Sequence, residues 1–372
     1  MTELEQVLRR EERYVLKMRR LYELYGYKKY KMGKFEHYDL YQENKPFLQS
    51  ENIVTFTDAG GTLLALKPDI TLSIVKNAPE EFPAPHKVYY CENVYRSTDA
   101  VGGIKEIEQV GIECIGEVDV YAQAEVLYLA ARSLGEISDQ TVIAVSHMGL
   151  LTALLDRAGL SGTTRREALR CLGEKNAHEL RGICAAQAVP ASEAARLEAV
   201  LAIHGGFATG LDHLSALLAG VPNSDPARLA AAELASAYAI VEALGCGEQL
   251  VLDFSVANDM DYYNGITFAG YVYGIPEHAL SGGRYDTLVQ KFGKQAGAIG
   301  FAIYPDLLER LETGENDPKD VDVLIVYGAA DPTEAAYEAA RRTALGQTVR
   351  VQKEDTGTVR YGERVVIGGE TA

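Results

Sequence analysis

Five short segments carry most of the side chains in this 372-residue chain that could do chemistry. They are Lys67-Pro68-Asp69-Ile70-Thr71, Tyr95-Arg96, Gln109-Val110-Gly111-Ile112-Glu113, Asp261-Tyr262-Tyr263 and Ser281-Gly282-Gly283-Arg284-Tyr285-Asp286. Together they offer carboxylates, an amide, hydroxyls and a guanidinium. Gln109 and Glu113 lie four apart on an alternating stretch, so on a strand both face the same side. Tyr262 and Tyr263 are adjacent, so alternation sends them to opposite faces; Tyr263 is expected in a site and Tyr262 in the core beside it. Asp69 precedes a helix expected from about Thr71 and suits its cap, a role compatible with touching a ligand. Arg96 also suits a structural partner for an acidic strand end, and Arg284 with Asp286 suits a pair that holds a turn.

Several chemistries have no support. There is no G-x-x-x-x-G-K-[ST] phosphate loop, no G-x-G-x-x-G between strand and helix, and no G-x-S-x-G elbow. The five cysteines, Cys91, Cys114, Cys171, Cys184 and Cys246, are odd in number and never at C-x-x-C spacing, which fits reduced thiols in a cytoplasmic protein. The seven histidines are scattered, with no pair at i,i+4 on a helix, so no metal site is expected. No secretory signal pattern precedes the first helix, and no run approaches the roughly 18–20 apolar residues of a membrane span.

The elements that must position these residues follow from periodicity. A helix is expected over 3–25, ended by Gly26, then a strand over 27–32. Residues 52–58 and 62–67 flank Ala59-Gly60-Gly61 as a hairpin, Pro68 stops its second strand, and a helix covers Thr71–Asn77. Strands at 87–95 and 105–116 flank a glycine loop, followed by a helix over Val120–Leu134 and a strand over Thr141–Ser146. From about 148 to 247 Ala and Leu dominate at helical spacing, which marks an all-helical insertion. Strands return at 249–256, 266–273, 280–282 and 298–303, with a closing helix from 305. The expected division is a domain over 1–312, a linker over 313–319 and a small α/β domain over 320–372, the last with strands at 321–327, 347–352 and 364–367 and a helix over 332–345.

Charge narrows the partners. Lys and Arg number 36 against 53 Asp and Glu, a net of −17, which disfavours general binding of nucleic acid or an anionic membrane. The first 36 residues run against this trend, with ten Lys/Arg and six Asp/Glu, and are a candidate docking surface as well as an ordinary solvated face. Trp is absent and Tyr numbers 22 against 9 Phe, which suits half-wet pockets or interfaces.

Taken together, the five segments, their order and the helical insertion before Asp261-Tyr262-Tyr263 resemble the catalytic domain of histidyl-tRNA synthetase, a class II aminoacyl-tRNA synthetase, over roughly residues 1–312. A shortened echo of its anticodon-binding domain follows residue 320. The resemblance implies an α+β fold: an antiparallel sheet flanked by helices, with the helical insertion and a truncated α/β terminal domain. It also implies a histidine site. The family's contacts to the α-ammonium correspond to Asp69, Thr71 and Gln109, those to the imidazole to Glu113 and Tyr263, and Arg96 and Tyr262 complete the candidate set. A buried site that pairs every polar group of its ligand rejects analogues that leave one unpaired.

The departures from that family fall on the residues that would hold ATP. Its Phe-Arg-x-Glu reads Tyr95-Arg96-Ser97-Thr98, the loop Asp99–Gly103 has no positive charge, and Lys105 stands where an arginine would be. The arginine before its D-Y-Y segment corresponds to Asn258, and its triphosphate-binding arginine to Pro305-Asp306, with Arg310 four residues late. Gly33 replaces a proline, although Glu36 is kept. The last 54 residues hold seven Lys/Arg and nine Asp/Glu, a poor surface for tRNA.

A chain that keeps the histidine-binding residues and replaces the ATP-binding ones fits a second resemblance, to the regulatory subunit of ATP phosphoribosyltransferase, which segments 41–52, 53–58 and 64–77 also carry. That family implies a non-catalytic cytoplasmic protein with no cofactor and no metal. Its partners are a short catalytic subunit, a second copy of itself and histidine as effector, with no nucleic acid or membrane. The alternative is an active histidine-activating enzyme, either a divergent synthetase or a histidine ligase.

Overall fold

The computed structural model describes residues 8, 10–48, 53–97, 103–256, 262–307 and 319–368. Two compact units divide the chain, Met1–Leu311 and Glu312–Ala372. In chain order the first contains α1 (Arg10–Leu24), β1 (Lys28–Lys29), β2 (Phe35–His37), α2 (Tyr38–Glu43), β3 (Thr55–Thr57), β4 (Leu63–Leu66), α3 (Thr71–Asn77), β5 (His86–Ser97), β6 (Ile104–Gly116), α4 (Val120–Gly135) and β7 (Thr141–His147). Six helices follow: α5 (Met148–Arg157), α6 (Gly162–Gly173), α7 (Ala177–Ala186), α8 (Ala191–Leu201), α9 (Phe207–Leu217) and α10 (Pro226–Ala243). The unit closes with β8 (Leu250–Leu252), β9 (Ile266–Val272), β10 (Leu280–Arg284), α11 (Asp286–Lys291) and β11 (Gly297–Ile303).

Eight strands form the main sheet in the order β1-β5-β6-β11-β10-β9-β7-β8. Its centre is antiparallel, as expected, but the outer pairs β1–β5 and β7–β8 are parallel. Each outer pair is separated in sequence by a long excursion, through the small sheet and α3 in one case and the six helices in the other, and a parallel pair needs a crossover of that kind. The small sheet, β2-β4-β3, is antiparallel. Its hairpin turns where the glycines predict: Asp58 Oδ1 accepts from the Gly60 and Thr62 amides, both at 2.8 Å, and Gly61 has φ +85°.

Alternation along the strands assigns the two faces of the main sheet. Tyr89, Ile112, Cys114, Ile299 and Phe301 face α4 and α1 and join a core containing Tyr22, Leu127 and Leu134. Val88, Tyr90, Val94, Ile115 and Ala298 face the other way, toward α3 and α11, with Ile70, Leu72, Leu288 and Val289. One expected element is shorter, since 249–256 yields only the three residues of β8; 305–307, the described start of the expected closing helix, form a 3₁₀ turn. The rest of that closing helix, the start of the N-terminal one and nearly all of the linker lie outside the described residues.

The second unit holds β12 (Val321–Val326), α12 (Pro332–Ala344), β13 (Val349–Gln352) and β14 (Tyr361–Val366). Its strands run parallel in the order β13-β12-β14, and Val323, Ile325 and Ala335 form a small core under α12. Among the described residues no helix is long and apolar enough to cross a membrane.

The short helix α3 is the element most dependent on its ends. Pro68 ends the preceding strand, Asp69 Oδ1 accepts from the Leu72 amide at 2.8 Å, and Pro79 prevents continuation. At the other end the buried Lys294 ammonium donates to the carbonyls of Val75 (2.8 Å), Lys76 (3.2 Å) and Ala78 (2.5 Å). These carbonyls belong to the helix C-terminus, where acceptors outnumber backbone donors and a cation is favoured. Lys294→Met is therefore expected to cost about 2 kcal/mol, the scale of losing charge-assisted bonds to buried carbonyls net of the ammonium's own desolvation. Urea unfolding checks it; a midpoint equal to that of the parent would contradict the capping role.

Candidate functional site

One cleft gathers the candidates. Asp69, Thr71, Arg96, Gln109, Glu113, Tyr262 and Tyr263 all line it, together with Tyr90, Ser281, Tyr285, Gly300, Phe301, Ala302 and Tyr304. The cavity proper is small, about 30 Å³; with its open mouth the free space is about 400 Å³. Asp69 and Thr71 enter from the start of α3, Tyr90 and Arg96 from β5, and Gln109 and Glu113 from β6.

The floor is built by register. Glu113 pairs with Gly300 on β11, which pairs with Gly283 on β10; Gly111 pairs with Ala302, which pairs with Ser281. Apart from Glu113 itself, these two rows consist of small residues, which leave the space above the sheet open. A Cβ on Gly300 would sit 1.8 Å from Glu113 Oε2, and one on Gly283 would sit 2.6 Å from Tyr263 Cδ1. Both glycines are required by close approach.

Glu113 is the buried centre of the cleft, 2% exposed. Thr71 Oγ1 donates to its Oε1 at 2.8 Å and the Tyr285 hydroxyl donates to its Oε2 at 2.5 Å. Burial pushes its carboxyl up to about 8, the two hydroxyls pull it down, and the charge of Asp69 adds a smaller upward push. Asp69 is also raised by burial, against the amides of Leu72 and Thr71 and the Arg96 guanidinium. Tyr262, Tyr263 and Tyr285 are all raised, chiefly by burial, and remain neutral donors. On the far wall Ser281 Oγ and the Tyr304 hydroxyl are 3.2 Å apart.

The structure corrects one expectation and joins two others. Strand alternation puts Tyr262 and Tyr263 on opposite faces, yet both line the cleft, T-shaped to each other with ring centroids 4.7 Å apart. The segment is a turn before β9, where strand alternation does not apply. Asp69 is both cap and lining residue. Tyr90 and Tyr304 are lining residues outside the five segments, and Ser281 and Tyr285 lie within one of them without having been assigned to the histidine contacts; the signal is present, since Tyr90 is in phase with Arg96, Tyr285 with Ser281 and Gly283, and Tyr304 with Gly300 and Ala302. Asn258, Asp261, Thr98 and residues 99–102 of the motif loop lie outside the described residues.

The charge of the lining is distinctive. Among the described residues lining the cleft, Arg96 is the one cation and Asp69 and Glu113 are the two carboxyl groups. Beside it the buried Lys67 ammonium is committed to Glu92, at 2.5 Å. Asp306, which stands where the family's phosphate-binding arginine would be, accepts from the Glu108 amide at 3.3 Å and places a carboxylate at the open edge of β6. Among the described lining residues a polyphosphate meets a single compensating cation. No group of three His, Cys, Asp or Glu side chains among the described residues could hold a metal.

Comparison with known proteins identifies the family to which this fold belongs. Residues 3–308 match the histidyl-tRNA synthetase family. An ATP phosphoribosyltransferase regulatory subunit from Geobacter metallireducens is 30% identical over 95% of this chain and 85% of its own. The crystal structure of an ATP phosphoribosyltransferase regulatory subunit/histidyl-tRNA synthetase from Bacillus halodurans superposes with a TM-score of 0.72 at 26% identity, covering 96% of this chain and 93% of that one. A chain of an ATP phosphoribosyl transferase complex from Thermotoga maritima shares the fold at 17% identity and a TM-score of 0.62, over 80% of this chain and 97% of that one. The chain is thus a member of the histidyl-tRNA synthetase family by fold and by sequence. Within it, the chain belongs with the ATP phosphoribosyltransferase regulatory subunits.

Glu113 makes a prediction about pH. Its folded-state value lies above its ordinary 4.5, so its contribution to stability is complete below about 4.5 and is lost as pH rises through about 8. At about 1.4 kcal/mol per unit the loss amounts to a few kcal/mol. Glu113→Gln, which cannot ionise, is expected to remove that part of the decline. Urea midpoints at pH 5 and pH 9 for both proteins measure it, and identical declines would refute it.

Proposed function

We propose that this chain is the histidine-responsive regulatory subunit of an ATP phosphoribosyltransferase, acting in the first step of histidine biosynthesis and performing no chemistry of its own. The observation that carries the reading is the cleft: every side chain suited to histidine faces it, and a single arginine is the only cation among its described lining residues. Histidine matches it group by group. Its α-ammonium suits Asp69, with Thr71 and Gln109 as further oxygens, its carboxylate suits Arg96, and its imidazole suits Glu113 and the Tyr263 hydroxyl. Tyr262 and Tyr285 pack against each other, centroids 5.7 Å apart, and wall the site.

Adenylation develops charge on phosphates and depends on cations placed to receive it. Pro305-Asp306 supplies none, which disfavours the reading as a synthetase or histidine ligase. A regulatory subunit of this kind joins a short catalytic subunit, pairs with a second copy of itself and works in the cytoplasm. It couples to the catalytic site by binding free energy, ordinarily worth about 5- to 150-fold.

Purified chain added to a short catalytic subunit is expected to raise the rate of phosphoribosyl transfer, and histidine to lower the rate of the mixture. Histidine-dependent ATP–pyrophosphate exchange by the chain alone should stay at background. An unchanged catalytic rate, or robust exchange, would overturn the proposal.

A further inference from the structure

Outside the cleft, three partly buried polar contacts from three different elements converge on Glu233 of α10. Gln123 Nε2, from α4, donates to Oε1. His147, at the end of β7, approaches Oε2 with Nε2 at 3.1 Å. The other His147 nitrogen, Nδ1, accepts from the Leu150 amide at 3.2 Å, so the ring proton sits on Nε2 and points at the carboxylate. Arg284, on β10, donates from Nη1 to Oε1 at 3.1 Å. These donors hold Glu233 at about 2, with the His147 bond the largest cause and burial opposing, so it is ionised at any working pH.

Arg284 connects this hub to the cleft. Its Nε donates to Asp286 Oδ2 at 2.9 Å, and Asp286 Oδ1 accepts from the Ala298 amide at 2.9 Å. The Asp286 amide donates to Asn264 Oδ1 at 2.9 Å, and the Asn264 amide donates to the Arg284 carbonyl at 3.0 Å. The stem of Arg284 lies on Gly265, where a Cβ would come within 2.8 Å of Arg284 Cδ. The residue following Arg284 is Tyr285, which donates to Glu113, and the residue preceding Asn264 is Tyr263. The Arg284 guanidinium thus holds Asp286, while the Arg284 carbonyl and the Asp286 amide hold Asn264, so this pair joins both tyrosine-bearing segments of the cleft, and Glu233 holds one arm of the guanidinium.

We propose that Glu233 is a positioning residue of the cleft: through Arg284 it sets Tyr285 and the Tyr262–Tyr263 turn against Glu113, and so makes α10 the element of the helical region that senses whether histidine is bound. This rests on the cleft being a histidine site. A surface ion pair that merely fastened a helix would contribute little and leave the cleft unchanged. Glu233 instead joins α10, α4 and β7 to the strand carrying the Glu113 partner.

The test uses the full chain and the variants Glu233→Gln and Glu233→Asp. Glu113 titration, followed by carboxyl ¹³C NMR with Glu113→Gln identifying its signal, reads the clamp without any ligand. The groups facing Glu113 are Asp69, Thr71, Tyr90, Tyr262, Tyr263 and Tyr285. Loss of the Tyr285 bond is expected to move its midpoint upward in E233Q, with E233D restoring it in part. Histidine affinity, read by tyrosine fluorescence, is expected to weaken about tenfold to a hundredfold in E233Q, the scale of a small misplacement. An unmoved Glu113 midpoint in folded E233Q overturns the proposal. Should E233Q not fold, Arg284→Lys tests the same link, and failure of both to fold also overturns it, since the contact would then serve folding alone. A wild-type chain that binds no histidine, with the Glu113 midpoint still shifted in E233Q, would refute the ligand assignment and leave the clamp standing.

Discussion

The carboxyl of Glu113, held between two hydroxyls under the roof of a cleft, sets most of what surrounds it. Burying a carboxyl is costly, and the cost is tolerable only when its oxygens are met by donors and its charge can be suppressed. Thr71 and Tyr285 meet those oxygens, and burial keeps the group largely protonated near neutral pH. Thr71 requires α3 to begin where it does, which requires the Asp69 cap and the Lys294 anchor at its other end. Tyr285 requires β10 to end in register with β11, and the carboxyl itself requires Gly300 to have no side chain. The glycine at 300 is therefore a consequence of one buried acid, while those at 283 and 111 make room for Tyr263 and Tyr90.

The charge of the described lining is what the proposed regulatory reading rests on. An α-amino acid brings one positive and one negative charge, and Asp69 and Arg96 can answer both. A nucleoside triphosphate brings several negative charges at once, and the described lining offers a single guanidinium while Asp306 sits at the adjoining strand edge. On the proposed reading, a cleft whose described lining suits an amino acid better than a polyphosphate is suited to sensing. Its output then has to be conformational, and the junction of α10 with β10 is where the cleft meets the helical region.

Much of this is legible in the amino-acid sequence because period-two alternation and turn chemistry are local. Spacing alone places Gln109 and Glu113 on one face, and the glycines place the Asp58–Gly61 turn. The same alternation, applied to the Ser281–Asp286 and Gly300–Tyr304 segments, adds Tyr285 and Tyr304. It fails at Tyr262 and Tyr263 because a turn, and not a strand, carries them. Parallel edges of the sheet are not legible, since nothing local records which strand a distant segment will pair with. Nor is Glu233: on an Ala-rich helix it looks like one more solvated acid, and only the tertiary placement of His147, Gln123 and Arg284 gives it partners.

Calorimetric titration of the purified chain with histidine and, separately, with magnesium-ATP tests the central claim most directly, because that claim is one of selectivity by charge. The account predicts saturable binding of histidine, one per cleft, and no saturable heat from ATP. Saturable binding of ATP with no response to histidine would contradict it.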